Sequence, residues 1–163
     1  MSVAGCVIPP EGYLSRLEER VREADGLLIF DCVQTGCGRF GKGKWWGFEG
    51  HGAVPDMVTV GKPLGGGVAV SALAVRASAL EAFEATGVEY FNTFGGSTLP
   101  CAAALAVMEE IDRLALPERA EEVGGKLKRG FEAVMGKHPG VVRDVRGCGL
   151  FLGVEISGGT DGG

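Results

Sequence analysis

Two short apolar runs, Leu27 to Phe30 and Met57 to Val60, each deliver a functional group: Asp31 follows the first directly, and Lys62 follows the second after Gly61. Runs of this length, bounded by turn residues, read as strands, and the unbroken first one is of the kind buried on both faces of a parallel sheet. Ligands in open α/β sheets lie at the carboxyl ends of parallel strands, so a carboxylate closing one strand and an amine closing the next can meet in one crevice. A charged residue ending a buried strand also needs a partner. For Asp31 the plain explanation is a helix cap or backbone hydrogen bonds, and for Lys62 it is solvent.

The same pair suits pyridoxal phosphate, whose aldehyde needs a lysine for a Schiff base and whose ring nitrogen needs an acidic partner to stay protonated. A competing signal lies between the two residues. Gly36-Cys37-Gly38-Arg39-Phe40-Gly41 matches the G-x-G-x-x-G dinucleotide fingerprint, with Asp56 further on. Its context fails: the first glycine is not at the strand's end, the following GKGKWWGFEGHG is too rich in glycine for the required helix, and Asp56 precedes a strand instead of closing one. The segment is expected to be a glycine-rich loop over a site, with Trp45, Trp46 and Phe48 packing it and no basic groove to make them a base-stacking platform.

Taken in order, Pro9-Pro10-Glu11 starts a helix whose apolar stripe is Leu14, Leu17, Val21 and Ala24, ended by Asp25-Gly26. After Lys62, Gly65-Gly66-Gly67 is expected to be a flexible connection, since no G-K-[ST] follows. Residues 69–75 form a third apolar strand and 78–85 a short helix, and Tyr90 to Ser97 is a loop. A helix from Thr98 to about Leu116 is apolar almost all round and so is expected to be buried. Pro117 opens another to about Gly136, with Glu122 and Lys126 as an i,i+4 pair. Residues 141–145 and 150–156 are strands around the turn Arg146 to Gly149.

The chain has 29 glycines in 163 residues, more than double the ordinary share of about 7 per cent, which means many tight turns. A net charge of −5 with interspersed lysines and arginines argues against the one-sided basic face of a nucleic-acid binder. No apolar run approaches the roughly 20 residues of a membrane span. Cys6, Cys32, Cys37, Cys101 and Cys148 lack Cys-x-x-Cys spacing and nearby histidines, which argues for no metal site and for reduced thiols in an intracellular compartment.

The segments LLIFDCVQTGCGRFGK, PDMVTVGKPLGGG and NTFGGSTLPCAAALAV resemble the class III aminotransferases, fold type I pyridoxal-phosphate enzymes. FEATGVEYFNTFGGS and HPGVVRDVRGCGLFLGVEI are most similar to the branch of ethanolamine-phosphate and phosphohydroxylysine phospho-lyases. The resemblance implies an α/β fold: residues 1–97 as part of the cofactor-binding large domain with a mostly parallel sheet, 98–156 as the interdomain helix and start of the small C-terminal domain, and 157–163 as a flexible tail. It implies Lys62 as the Schiff-base lysine and proton shuttle, and Asp31 as the partner of the pyridinium nitrogen. Val33 would pack on the ring face, Gln34 would bond the ring hydroxyl, and Thr93 would reach the cofactor phosphate of a neighbouring subunit in a homodimer with a shared active site. Arg146 would bind a substrate α-carboxylate as a bidentate pair; its alternative role is a turn arginine holding a carbonyl.

Cys32 stands where the family usually has glutamate, and Cys37 where it usually has phenylalanine. Replacing a fully buried ring by a thiol costs about 3–5 kcal/mol. The resemblance further implies a fragment: the native amino terminus, the main phosphate-binding loop and the stacking aromatic lie outside the chain, so any targeting peptide does too, and the compartment is cytoplasmic or mitochondrial. The expected activity is phosphate and ammonia release from an amino-alcohol phosphate. The alternatives are amino transfer from a small-molecule amine to a 2-oxo acid, a truncated product that no longer holds cofactor, and a nucleotide-binding oxidoreductase resting on the glycine pattern alone.

Overall fold

The computed structural model describes residues 5–157. Helix α1 (Tyr13–Glu23) starts after Gly12, whose φ of 71° is the left-handed conformation open to glycine; of its apolar stripe Leu14 and Val21 are half-buried, whereas Leu17 and Ala24 are exposed. Strand β1 (Ile29–Asp31) pairs in parallel with β2 (Met57–Val60), and β2 pairs antiparallel with β3 (Ala72–Val75), in the order β1-β2-β3. The two parallel strands run side by side through a long connection of turns, 32–56, that contains no helix. The dinucleotide fingerprint therefore lacks the helix it requires.

β1 is not buried on both faces as its unbroken apolar run suggests. Phe30 stacks on Phe48 of the connection at 5.1 Å between ring centroids, but Ile29 stays 53% exposed among the described residues. Gly65 to Gly67 are not a loose linker either. Lys62–Gly65 form a 3-10 turn closed by the Gly66 N–H on the Pro63 carbonyl, and Gly66 packs against Val107.

Helix α2 (Ala77–Glu84) leads to the loop before α3 (Thr98–Arg113), and α4 (Leu116–Lys137) follows with Pro117 in its first turn. The burial expected of α3 is wrong: Ile111 is buried, whereas Leu99 is 72% exposed and Leu105 and Met108 also face out. α4 is amphipathic only in its first half: Pro117, Ala120 and Gly124 are buried, whereas Leu127 and Val134 of the expected apolar face are each 45% exposed, and Glu122 pairs with Lys126.

α4 packs on a hairpin of β4 (Val142–Cys148) and β5 (Phe151–Ile156). β4 runs three residues further than read from sequence, and β5 begins one residue later. Arg146 lies within β4 opposite Gly153, not in the turn, and Cys148 pairs with Phe151, leaving Gly149 and Leu150 to turn. Gly124 is what lets α4 reach this turn, since a Cβ there would meet the Gly149 carbonyl oxygen well inside contact distance. Ser157, expected in the tail, is anchored by its N–H on the Val141 carbonyl and its hydroxyl on the Gly140 carbonyl, while 158–163 lie outside the described residues.

The two parts meet through the connection 32–56. The Leu150 N–H donates to the Arg39 carbonyl at 3.0 Å, the Lys42 N–H to Glu121 Oε2 at 3.0 Å, and the Phe40 and Phe151 rings lie 5.4 Å apart. Asp56, 5% exposed, ties the sheet to α1. It accepts the Leu28 N–H at 2.8 Å and pairs with Arg22 and Arg76.

Candidate active site

The parallel register sets Asp31 opposite Thr59, so β1 ends beside β2 one residue before Val60 and Gly61 lead into Lys62. Asp31 Oδ1 accepts two hydrogen bonds, from the Val33 N–H at 3.0 Å and from the Thr59 hydroxyl at 2.9 Å. These hold its carboxyl below the usual range, and the Lys62 ammonium is close enough to add to the effect against partial desolvation. The acid therefore closes β1, and the amine follows the end of the adjacent parallel strand β2 by two residues.

Lys62 has φ 45°, a left-handed conformation that costs a side-chain-bearing residue roughly 1–2 kcal/mol. The turn it begins is braced by α3 through Gly66 and Val107. An open cleft of about 350 Å³ lies over it, lined by Val33, Gln34, Arg39, Lys62, Leu150 and Phe151 among others. Three sequence-picked residues, Val33, Gln34 and Lys62, therefore share one cleft.

The sequence profile described as Aminotransferase class-III matches residues 1–161. The chain belongs to this family. Relatives of this class III chain include an alanine–glyoxylate aminotransferase 2-like protein of Drosophila melanogaster, 41% identical over 95% of this chain, and ethanolamine-phosphate phospho-lyase homolog 1 of Caenorhabditis elegans, 41% identical over 95%. These matches cover 31% and 33% of the relatives, so the chain spans about a third of their length. Among solved structures, taurine:2-oxoglutarate aminotransferase from Bifidobacterium kashiwanohense, in complex with PLP and glutamate, superposes with a TM-score of 0.87 at 29% identity over 96% of this chain and 34% of its own. A phospholyase from Arthrobacter, in complex with phosphoethanolamine, gives 0.85 at 39% identity over 95% of this chain and 36% of its own. The expected α/β, fold type I architecture holds.

Pyridoxal phosphate fits the residues present in this class III chain. An aspartate held ionised by two donors is the partner a protonated ring nitrogen needs, and a lysine beside it opens onto a cleft with room for a ring. Thr93 stands apart from that cleft, in the exposed turn before α3. No group of side chains suited to hold a metal ion occurs among the described residues.

Arg146 is not brought to the cleft either. Its Nη1 donates to Asp144 at 2.7 Å and Glu155 at 2.9 Å, its Nε to the Gly5 and Cys6 carbonyls, and its Nη2 to the Gly5 carbonyl at 2.8 Å. The two carboxylates push its pKa up further, so the guanidinium is engaged inside the fold. Cys32 is buried under the connection, and burial raises its thiol above the ordinary value against the lowering effect of donors at Gly47 and Thr35. Burial also raises Cys37, whose φ of 58° marks the reversal that carries the chain to Arg39.

Sequence reasoning missed three contributors. Thr59 is the one polar residue in β2, and only the strand register reveals that it faces Asp31. Phe151 and Leu150 reach the cleft through the docked hairpin, a contact between distant segments that no local pattern signals.

Proposed function

We propose that this chain carries the catalytic centre of a pyridoxal-phosphate enzyme acting on a small primary amine, and that its reaction is release of phosphate and ammonia from an amino-alcohol phosphate. The observation that carries this reading is that Lys62 shares a cleft with Val33 and Gln34, while Asp31, its carboxyl held below the usual range by the Val33 N–H and the Thr59 hydroxyl, ends the adjacent parallel strand. The identity to a phospho-lyase homolog and the likeness to a phospholyase solved with phosphoethanolamine favour the lyase. Transfer of the amino group to a 2-oxo acid is the second reading, favoured by the similarity to aminotransferases.

Pyridoxal phosphate, when bound, supplies an electron sink for the carbon bearing the amine. Asp31 would hold the ring nitrogen protonated, Val33 would cover a ring face and Gln34 would bond the ring hydroxyl. Lys62 would carry the covalent link and, once freed, its Nζ would take the proton from the substrate carbon. The lyase then converts an amino-alcohol phosphate and water into an aldehyde, ammonia and phosphate. Arg146 is left out of the substrate contacts, because freeing it would break its bonds to Asp144, Glu155 and Gly5.

The enzyme is proposed as a homodimer in which Thr93 serves the neighbouring cleft. Support comes from the loop and helix around it, where Phe91 is 82% and Phe94 84% exposed and Leu99 faces out, an apolar surface of the kind that marks an interface. An intracellular compartment is the companion reading; no helix among the described residues is long and apolar enough to cross a membrane, and one relative, from Arabidopsis thaliana, is named mitochondrial.

The test uses the full-length protein. Ethanolamine phosphate should release phosphate and ammonia without an oxo acid, and Lys62→Ala should abolish both the cofactor's lysine-dependent absorbance band and the release. Consumption of the amine only when an oxo acid is present would replace the lyase with the transaminase, and a wild-type protein with no band would support the non-catalytic alternative.

A further inference from the structure

We propose that Arg39 is the anion receptor of the Lys62 cleft, taking the phosphate or comparable anionic group of the substrate while the amine is presented at Lys62. The inference rests on the reading of that cleft as the cofactor and substrate site.

Arg39 lines the same cleft as Lys62, Val33 and Gln34, and its side chain is exposed with no carboxylate partner among the described residues. Its backbone is pinned: the carbonyl accepts the Leu150 N–H at 3.0 Å and lies against Gly149. The reversal through Cys37 at φ 58° and Gly38 at φ 73° is what returns the chain to this position, so a strained turn is maintained where the guanidinium meets the cleft. A charged fork on a fixed backbone with its donors free is the arrangement that binds phosphate, sulfonate or carboxylate as a bidentate pair. Leu150 and Phe151 beside it give the cleft an apolar side against which the carbon chain of such a substrate can lie. Arg146, the residue the motif pattern suggests for an anion, already spends its donors on Asp144, Glu155 and the Gly5 carbonyl.

The chemistry of two structural neighbours is consistent with a receptor of this type: one is solved with phosphoethanolamine and the other is named for taurine, each an amine separated by two carbons from a strong anion. The cofactor itself also carries a phosphate, so the experiment separates the two anions.

Cofactor-loaded full-length protein, as wild type, Arg39→Gln and Arg39→Lys, is titrated calorimetrically with 3-aminopropylphosphonate, whose carbon–phosphorus bond does not release phosphate, and with propylamine as the anion-free control. Cofactor affinity is measured separately on each apoprotein. Arg39→Gln should weaken phosphonate binding roughly ten- to hundredfold, with propylamine and cofactor binding unchanged. Arg39→Lys, which keeps the charge without the fork, should fall between and serves if the glutamine variant does not fold. Equal phosphonate affinity in all three proteins, or no phosphonate binding by the wild type, overturns the proposal. Loss of cofactor affinity in Arg39→Gln overturns it too, assigning the guanidinium to the cofactor's phosphate. Failure of the wild type to take cofactor sinks the parent reading instead.

Discussion

The Thr59 hydroxyl donates to Asp31 Oδ1 at 2.9 Å across the β1–β2 pair, so one strand conditions the acid at the end of the other. Thr59→Val keeps the shape and removes the donor. The Asp31 carboxyl should then rise toward its ordinary value, and the acid limb of the activity profile should move to higher pH. A hydrogen bond to a charged group is worth about 1.5–3 kcal/mol, less at this exposed position, so cofactor affinity should fall by up to roughly tenfold. Absorbance titration of the full-length variant across pH measures both effects, and an unmoved acid limb would deny Thr59 this role.

Lys62 separates chemistry from strain. Lys62→Ala should lower the rate by at least about a thousandfold if the amine shuttles the proton. Because φ at this residue is 45°, Lys62→Gly should be equally inactive yet more stable than Lys62→Ala by about 1 kcal/mol. Denaturant unfolding of the two variants checks the difference, and equal stability would show that the turn relaxes.

Asp56 should dominate acid stability. Its carboxyl is held below the ordinary value by Arg22 first and by the Leu28 N–H. A depressed acid adds stability that is present above the ordinary carboxylate pKa and is lost as pH falls through the native value. Asp56→Ala should cost about 2–4 kcal/mol near neutrality, below the full loss for a buried pair because both arginines are partly in water. Melting curves from neutral pH down to about pH 3 should converge for wild type and variant, since the advantage fades as the native carboxyl protonates.

Gly124 and Gly149 meet through backbone alone, and Gly124→Ala should push α4 off the hairpin turn. The expected cost is about 1–3 kcal/mol, as for other overpacked contacts. Because Leu150 and Phe151 line the cleft, the same variant should weaken binding of the aminophosphonate, measurable by calorimetry on protein that still melts cooperatively. A helix substitution at Gly130, where a Cβ meets nothing, is the control.

Much of this architecture could be read from local pattern. Strand β2 and the helix starting at Leu116 fall where periodicity and proline place them, and Asp31 and Lys62 end adjacent strands as the apolar runs imply. The errors share a physical origin. Ile29 and Leu99 are apolar yet exposed, and a local apolar pattern does not tell whether a neighbouring element covers it. Asp56 carries no local signal of its role, because its work is long-range pairing with Arg22 and Arg76. Arg146 looks like a turn residue until the hairpin register extends β4 through it.

The acid and its threonine stand 28 positions apart in sequence yet face each other in register. Spacing along the chain and spacing in the site are therefore decoupled. Gly50, exposed and with open space where a Cβ would go, is where a short peptide tag should be accepted without shifting the acid or the amine. One residue inserted inside β2 would instead turn its side chains to the opposite face and take Thr59 away from Asp31.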